Sequence, residues 1–173
     1  LLEGVAPAPF GPEQNTVHHQ AVTTRMHMTQ AAGCAPIVEA WRTGQDHVLP
    51  IRPNTIAKSL AIGNPADGMY ALRVIQASQG SAYAVPESEV VQGIRLLAET
   101  EGIFTETAGG VVVSGLKHLA QCGAIKADDL TVVYITGNGL KTQEAVADVV
   151  NPLRIKPTLS SFENALKQRT PVG

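Results

Sequence analysis

Thr131-Val132-Val133-Tyr134-Ile135-Thr136-Gly137-Asn138-Gly139 carries the strongest fold signal in this 173-residue chain. Residues 131–135 form a continuous apolar run, which reads as an interior parallel strand buried on both faces. The run stops at Thr136-Gly137-Asn138-Gly139, where two glycines permit a tight turn.

The segments on either side of this run alternate between strand and helix patterns. Residues 109–121 predict a helix with Val112, Leu116, Leu119 and Ala120 as its buried stripe and Gly123 closing it. Ile103–Glu106 reads as a short strand or extended link. Pro86 opens a helix that carries Glu87 and Glu89 at its positive end and stops at Gly102. Ser81–Val85 is a predicted strand. Before it comes a helix over Ala66–Gln79 with Gly80 as the left-handed residue just past its end. Thr55–Leu60 suggests a short helix, and residues 43–56 a loop. Met26–Ala31 predicts a strand, broken at Gly33 and followed by a short helix from Pro36 to Trp41. Toward the C-terminus, Ser160 with Glu163 forms a capping box for a helix ending near Gln168. Alternation over residues 25–145 means an α/β fold with a largely parallel sheet and helices on both faces. Residues 1–24 hold no such period and are expected to be irregular. Residues 151–173 are expected to form an extension with a short helix.

Composition agrees with this class and excludes others. The hydrophobic fraction is 44% and the aromatic fraction 4%, so the core must be mainly aliphatic. The net charge is -2, and no basic stripe occurs, so no nucleic-acid partner is expected. No apolar run approaches the roughly 20 residues needed to cross a bilayer, so no membrane partner is expected either. Cys34 and Cys122 are in no CxxC pattern and read as reduced core thiols of a cytoplasmic protein. The chain opens on Leu1-Leu2-Glu3-Gly4, without an initiator Met or a signal-peptide pattern, so its natural start is expected upstream. The pair His18-His19 has no carboxylate or Cys companion and reads as solvated polar surface rather than a metal site.

Ligands of open α/β sheets bind beyond the carboxyl ends of the strands. This rule singles out Thr136-Gly137-Asn138-Gly139, where Thr136 would offer a hydroxyl able to donate or accept, and Gly137 a close-approaching backbone. The same residues also suit an ordinary Asn-Gly turn. A second candidate is Glu106-Thr107-Ala108-Gly109-Gly110. Small residues there would open a helix N-terminus to a ligand, and Glu106 could handle a proton or orient a group. Glu106 could equally satisfy only the helix amides. A third is Ala61-Ile62-Gly63-Asn64-Pro65, where Gly63 could lie against a planar ring or simply turn the chain. Lys141, just past the first candidate, reads as a surface charge. No GxSxG or GxxxxGK[ST] pattern occurs. Gly137 and Gly139 lack the third glycine of a dinucleotide fingerprint.

Taken together, four ordered segments resemble the threonine synthase family. They are Gln30-Ala31-Ala32-Gly33-Cys34-Ala35-Pro36-Ile37-Val38, Thr55 through Pro65, Glu101-Gly102-Ile103-Phe104-Thr105-Glu106, and Thr136-Gly137-Asn138-Gly139-Leu140-Lys141. The resemblance implies a fold type II pyridoxal-phosphate enzyme, of which this chain is similar to the C-terminal part of the large cofactor domain, over residues 25–150. It implies pyridoxal 5'-phosphate as cofactor and conversion of O-phospho-L-homoserine and water to L-threonine and phosphate. Thr136 matches the hydroxyl residue that meets the pyridine nitrogen, with Gly137 and Asn138 shaping the wall. Ile62 and Gly63 are implied near the cofactor face, and Glu106 near the ring as a catalytic carboxylate.

The departures are as informative as the matches. Thr107-Ala108-Gly109-Gly110-Val111-Val112 stands where most of the family reads P-A-S-A-A-S, so this chain resembles a divergent branch. The family's Schiff-base lysine and phosphate-binding loop lie in its N-terminal half. None of the six lysines here sits in that lysine pattern. An N-terminal half of the same enzyme is therefore an expected partner, with a homo-oligomer as the expected assembly, and the chain alone is expected to be inactive. Two other readings stay open: a related serine/threonine dehydratase, and a non-catalytic synthase-like binding module.

Overall fold

The computed structural model describes residues 16–17, 20–21, 23–149 and 154–168. Most of the segment 1–24, His18-His19 included, lies outside them, as do residue 150 and, in the C-terminal extension, 151–153 and 169–173. Within that first segment, β1 (Thr16–Val17) pairs antiparallel with β2 (Gln20–Ala21).

The centre of the fold is a parallel pair, β3 (Met28–Ala31) beside β4 (Ala82–Val85), in register from Met28 opposite Ala82 to Ala31 opposite Val85. Two helices lie between them in sequence: α1 (Pro36–Arg42) and α2 (Gly68–Ala77). They cover one face, where Ile37, Val38, Leu72 and Ile75 pack with Ala82 and the partly buried Met28 and Ala84. Gln30 ties that face to α1, because its Oε1 accepts from the amides of Ile37 and Val38 at 3.0 Å each. These are free amides at the helix start, which a side-chain oxygen can satisfy.

The opposite face carries α3 (Glu87–Glu101) and α4 (Thr107–Gln121). Ala31 and Val85 alternate onto it and meet Val90, Val111 and Ala57 in a second cluster. Val85, Val90 and Val111 are fully buried, each contributing about 1.5–3 kcal/mol by leaving water. Both the parallel pairing and the helices on both faces follow the expected α/β class.

Glycines set how closely these helices approach. A Cβ at Gly93 or Gly110 would collide with backbone of the facing helix, and one at Gly115 would collide with Thr29 of β3. The approach rotates α4 from its expected stripe. Val111, Val113, Ser114, Gly115 and Leu119 are buried, whereas Val112 and Leu116 are half-buried and Ala120 is exposed. The expected stripe placed large aliphatic residues inward, but the tightest contacts need residues without a Cβ.

Other boundaries needed correction too. Gln79, not Gly80, takes the left-handed conformation after α2, with φ 55°. Gln79 N donates to Gln76 O and Gly80 N to Ile75 O, the double bond pattern of a Schellman cap. Gly80 is required for space instead, since its Cβ would collide with Met26 O. The short helix near 55–60 is a 3-10 turn over Lys58–Leu60. The last helix, α5 (Leu159–Gln168), starts one residue early, and its cap is Thr158, whose Oγ1 accepts from Ser161 N at 3.3 Å. Ser160 is inside that helix, so it cannot cap it.

The largest correction concerns residues 131–135. They form no ladder, and Val132 and Tyr134 are 73% and 75% exposed. An apolar period reports burial only where a sheet is present to bury against, and among the described residues no strand lies beside this segment. Among the described residues no helix is long and apolar enough to cross a membrane.

Candidate functional site

Two of the three candidate segments meet. Thr105 forms an isolated antiparallel bridge with Asn138. Glu106 N donates to Gly137 O at 3.3 Å, Gly139 N to Phe104 O at 3.1 Å, and Thr105 Oγ1 to Gly137 O at 3.2 Å. A further fastener is Thr107 N, which donates to Thr142 Oγ1 at 3.2 Å. These four bonds hold residues 137–142 against the start of α4. Sequence separation of more than 30 residues hides this pairing from any local pattern.

Glu106 occupies the N-cap position of α4, yet its side chain caps nothing. The reading in which it satisfies only helix amides is thereby set aside. Its carboxylate is buried, with the residue 5% exposed, and it lies in space that Gly137 leaves open. A Cβ at residue 137 would collide with Oε1 of Glu106, and Gly137 has φ 78°, a left-handed conformation that favours glycine. Lys141 Nζ stands 3.4 Å from Glu106 Oε2. Lys141 is therefore not a bare surface charge but the carboxylate's ion-pair partner, which its sequence neighbours gave no means of reading.

Thr136 is exposed, and among the described residues its hydroxyl makes no hydrogen bond. It is free to meet a ligand atom. Asn138 uses its Oδ1 locally, accepting from Leu140 N at 2.9 Å, so its side-chain oxygen holds the turn. The Asn-Gly turn and the ligand wall are thus compatible rather than alternatives.

The small residues after Glu106 do not open the helix start. Thr105 to Val111 are all buried, and Gly109 and Gly110 make room for Thr105 and for the backbone of α3. Thr107 Oγ1 is buried there without a hydrogen-bond partner.

Ile62 and Gly63 belong to a separate corner. Ile51 N donates to Gly63 O at 2.9 Å, and a Cβ at Gly63 would collide with Ile51 O. Ile62 is 57% exposed. Among the described residues no hydrogen bond joins this corner to Gly137 or Glu106. Glu87 is its anchor, a residue that the sequence suggested only as a helix-end charge. Its carboxylate accepts from Gly33 N at 3.1 Å, Thr55 Oγ1 at 2.9 Å and Ile56 N at 2.9 Å, tying the segment before Gly63 to the end of β3.

A cleft of about 530 Å³ lies elsewhere, between α3 and α4, over the stacked rings of Tyr83 and His118. None of the expected site residues lines it. It is a groove between two helices, apart from the Glu106–Gly137 corner. Cys34 is buried, and burial pushes its thiol up from the ordinary value, so it is a core thiol as expected. Cys122 is exposed, contrary to expectation. Among the described residues no group of three or more His, Cys, Asp or Glu could hold a metal ion.

Comparison with known proteins identifies the family. Residues 14–137 match the family model described as pyridoxal-phosphate dependent enzyme. The threonine synthase of Methanocaldococcus jannaschii is 38% identical over 146 residues, covering 83% of this chain and 36% of that protein. The threonine synthase of Methanosarcina acetivorans is 37% identical over 144 residues, covering 82% and 36%. The chain thus spans little more than a third of the length of these relatives. Among solved structures, maize serine racemase superposes with a TM-score of 0.51 at 14% identity, over 84% of this chain and 39% of that one. At that identity the likeness concerns the fold alone.

Proposed function

We propose the following for this chain, which belongs to the pyridoxal-phosphate-dependent enzyme family. It forms one wall of a threonine synthase active site, within the large cofactor domain, and the remainder of the enzyme supplies the lysine and phosphate loop. The complete enzyme converts O-phospho-L-homoserine and water to L-threonine and phosphate, acting as a lyase in amino-acid biosynthesis.

The observation that carries this reading is the Glu106–Gly137 corner. It puts a free hydroxyl (Thr136), a close-approaching backbone (Gly137) and a buried carboxylate (Glu106) on adjacent positions. These groups fit the pyridine end of the cofactor. Thr136 would meet the ring nitrogen with a neutral hydroxyl, which does not force a proton onto it. Gly137 and Asn138 would shape the wall at the ring, and Glu106 would hold or orient a proton beside it. Ile62 and Gly63 would line the cofactor's other side, positioned through Glu87. When bound, pyridoxal phosphate supplies the electron sink, and the protein supplies orientation. The identity to threonine synthases, 32–38% across the eight relatives compared, favours that substrate over those of other lyases.

The test is substrate choice in the assembled enzyme. The chain, joined to a threonine synthase N-terminal region and loaded with pyridoxal phosphate, should release phosphate from O-phospho-L-homoserine. Ammonia release from serine or threonine, without phosphate release, would assign it to the dehydratases instead.

A further inference from the structure

A buried carboxylate is costly unless something compensates its charge. Glu106 accepts no cap bond from α4. Among the described residues its one ion-pair partner is Lys141, at 3.4 Å. That partner is held in place by backbone. Lys141 closes the 3-10 turn Gly139–Lys141, with Lys141 N donating to Asn138 O at 3.1 Å and Thr142 N to Gly139 O at 3.1 Å. Thr142 is buried and fastened to the first residue of α4 through its hydroxyl. The lysine therefore sits one residue from a bolt that fixes the turn to the carboxylate's own helix. Its side chain is 63% exposed, so it reaches the buried carboxylate from the solvent side.

We propose that Lys141 is a positioning residue: its ammonium holds the Glu106 carboxylate in the space beside Gly137. A neutral side chain at 141 leaves that carboxylate without a counter-charge, and the carboxylate is then free to turn outward to water. Arginine keeps the charge and a donor within reach, so it should substitute in part. The consequence for turnover rests on the assignment of Glu106 to the cofactor site, but the geometric claim does not.

Two readouts separate these claims. The first uses the chain without cofactor, labelled with [5-13C]glutamate, with the Glu106 carboxyl resonance assigned by its loss in Glu106→Gln. Lys141→Gln should displace that resonance, and Lys141→Arg should return it toward the wild-type position. An unmoved resonance in Lys141→Gln overturns the proposal, and so does an arginine variant indistinguishable from the glutamine one. The second uses the assembled, cofactor-loaded enzyme. Lys141→Gln should lower kcat about fivefold, the scale of one ion pair whose cation is partly exposed, with KM within twofold and partial recovery in Lys141→Arg. If the resonance moves as expected but the assembled wild type does not turn over, the assignment of function fails while the positioning contact survives. If the wild type turns over and Lys141→Gln matches it, the positioning role in catalysis is wrong.

Discussion

Gly137 leaves room for the Glu106 carboxylate, because a Cβ at residue 137 would fall on its Oε1. The two residues are 31 positions apart, and a backbone bond from Glu106 N to Gly137 O keeps them together. Gly137→Ala should therefore lose stability twice. The left-handed backbone costs about 1 kcal/mol, and the overlap adds about 1–3 kcal/mol. Urea unfolding measures the sum. Adding Glu106→Ala should recover the overlap part and leave the backbone part, so the two changes should be non-additive.

The end of α2 offers a stabilising change. Gln79 carries φ 55°, and its Schellman bonds satisfy the helix end regardless of side chain. Gln79→Gly should raise stability by about 0.5–1 kcal/mol, seen as a higher unfolding midpoint at unchanged slope. A loss would mean that the Gln79 side chain makes a contact worth more than the strain.

Glu87 joins three donors from two segments. Glu87→Ala should cost about 2 kcal/mol or more, since Gly33 N and Ile56 N lose a charged acceptor together. Hydrogen exchange should report faster opening at Gly33 and Ile56 and little change at Gly139, which lies in the other corner.

His27 should make stability depend on pH. Its Nδ1 accepts from Ser81 N at 3.1 Å, so that nitrogen must be unprotonated. Burial first, and then the Arg25 charge, hold the imidazole below its ordinary 6.5. A depressed value means that the unfolded chain takes the proton more readily. The contribution is thus present above about pH 6.5 and lost as pH falls through the folded-state value. Unfolding midpoints measured from pH 8 to 5 should fall on the acid side, and His27→Gln should flatten that fall.

The elements whose ends are marked by a local rule were readable from sequence. Pro86 and Gly102 bracket α3, and Pro36 opens α1, because fixed φ and left-handed glycine act on the residues beside them. The family's ordered segments also pointed to Thr136, Gly137 and Glu106 before any contact was visible. What stayed hidden depends on partners distant in sequence. Gly110 read as ligand-facing, but it and Gly115 serve helix packing against Val90 and Thr29. Lys141 read as surface, since nothing within four residues shows that Glu106 lies 3.4 Å away. The run 131–135 misled for the opposite reason. Its period is that of a buried strand, and burial needs neighbouring strands that the described residues do not supply.

The central claim is that Thr136, Gly137 and Glu106 form the ring wall of a pyridoxal-phosphate site completed by the rest of the enzyme. Visible absorbance of bound cofactor tests it most directly. The chain alone should develop no cofactor band. The chain assembled with a threonine synthase N-terminal region should develop one, and Thr136→Val should alter that band and lower turnover while leaving the unfolding midpoint unchanged. A band and turnover from the 173-residue chain alone, or an assembled Thr136→Val enzyme identical to wild type in band and rate, would contradict the account.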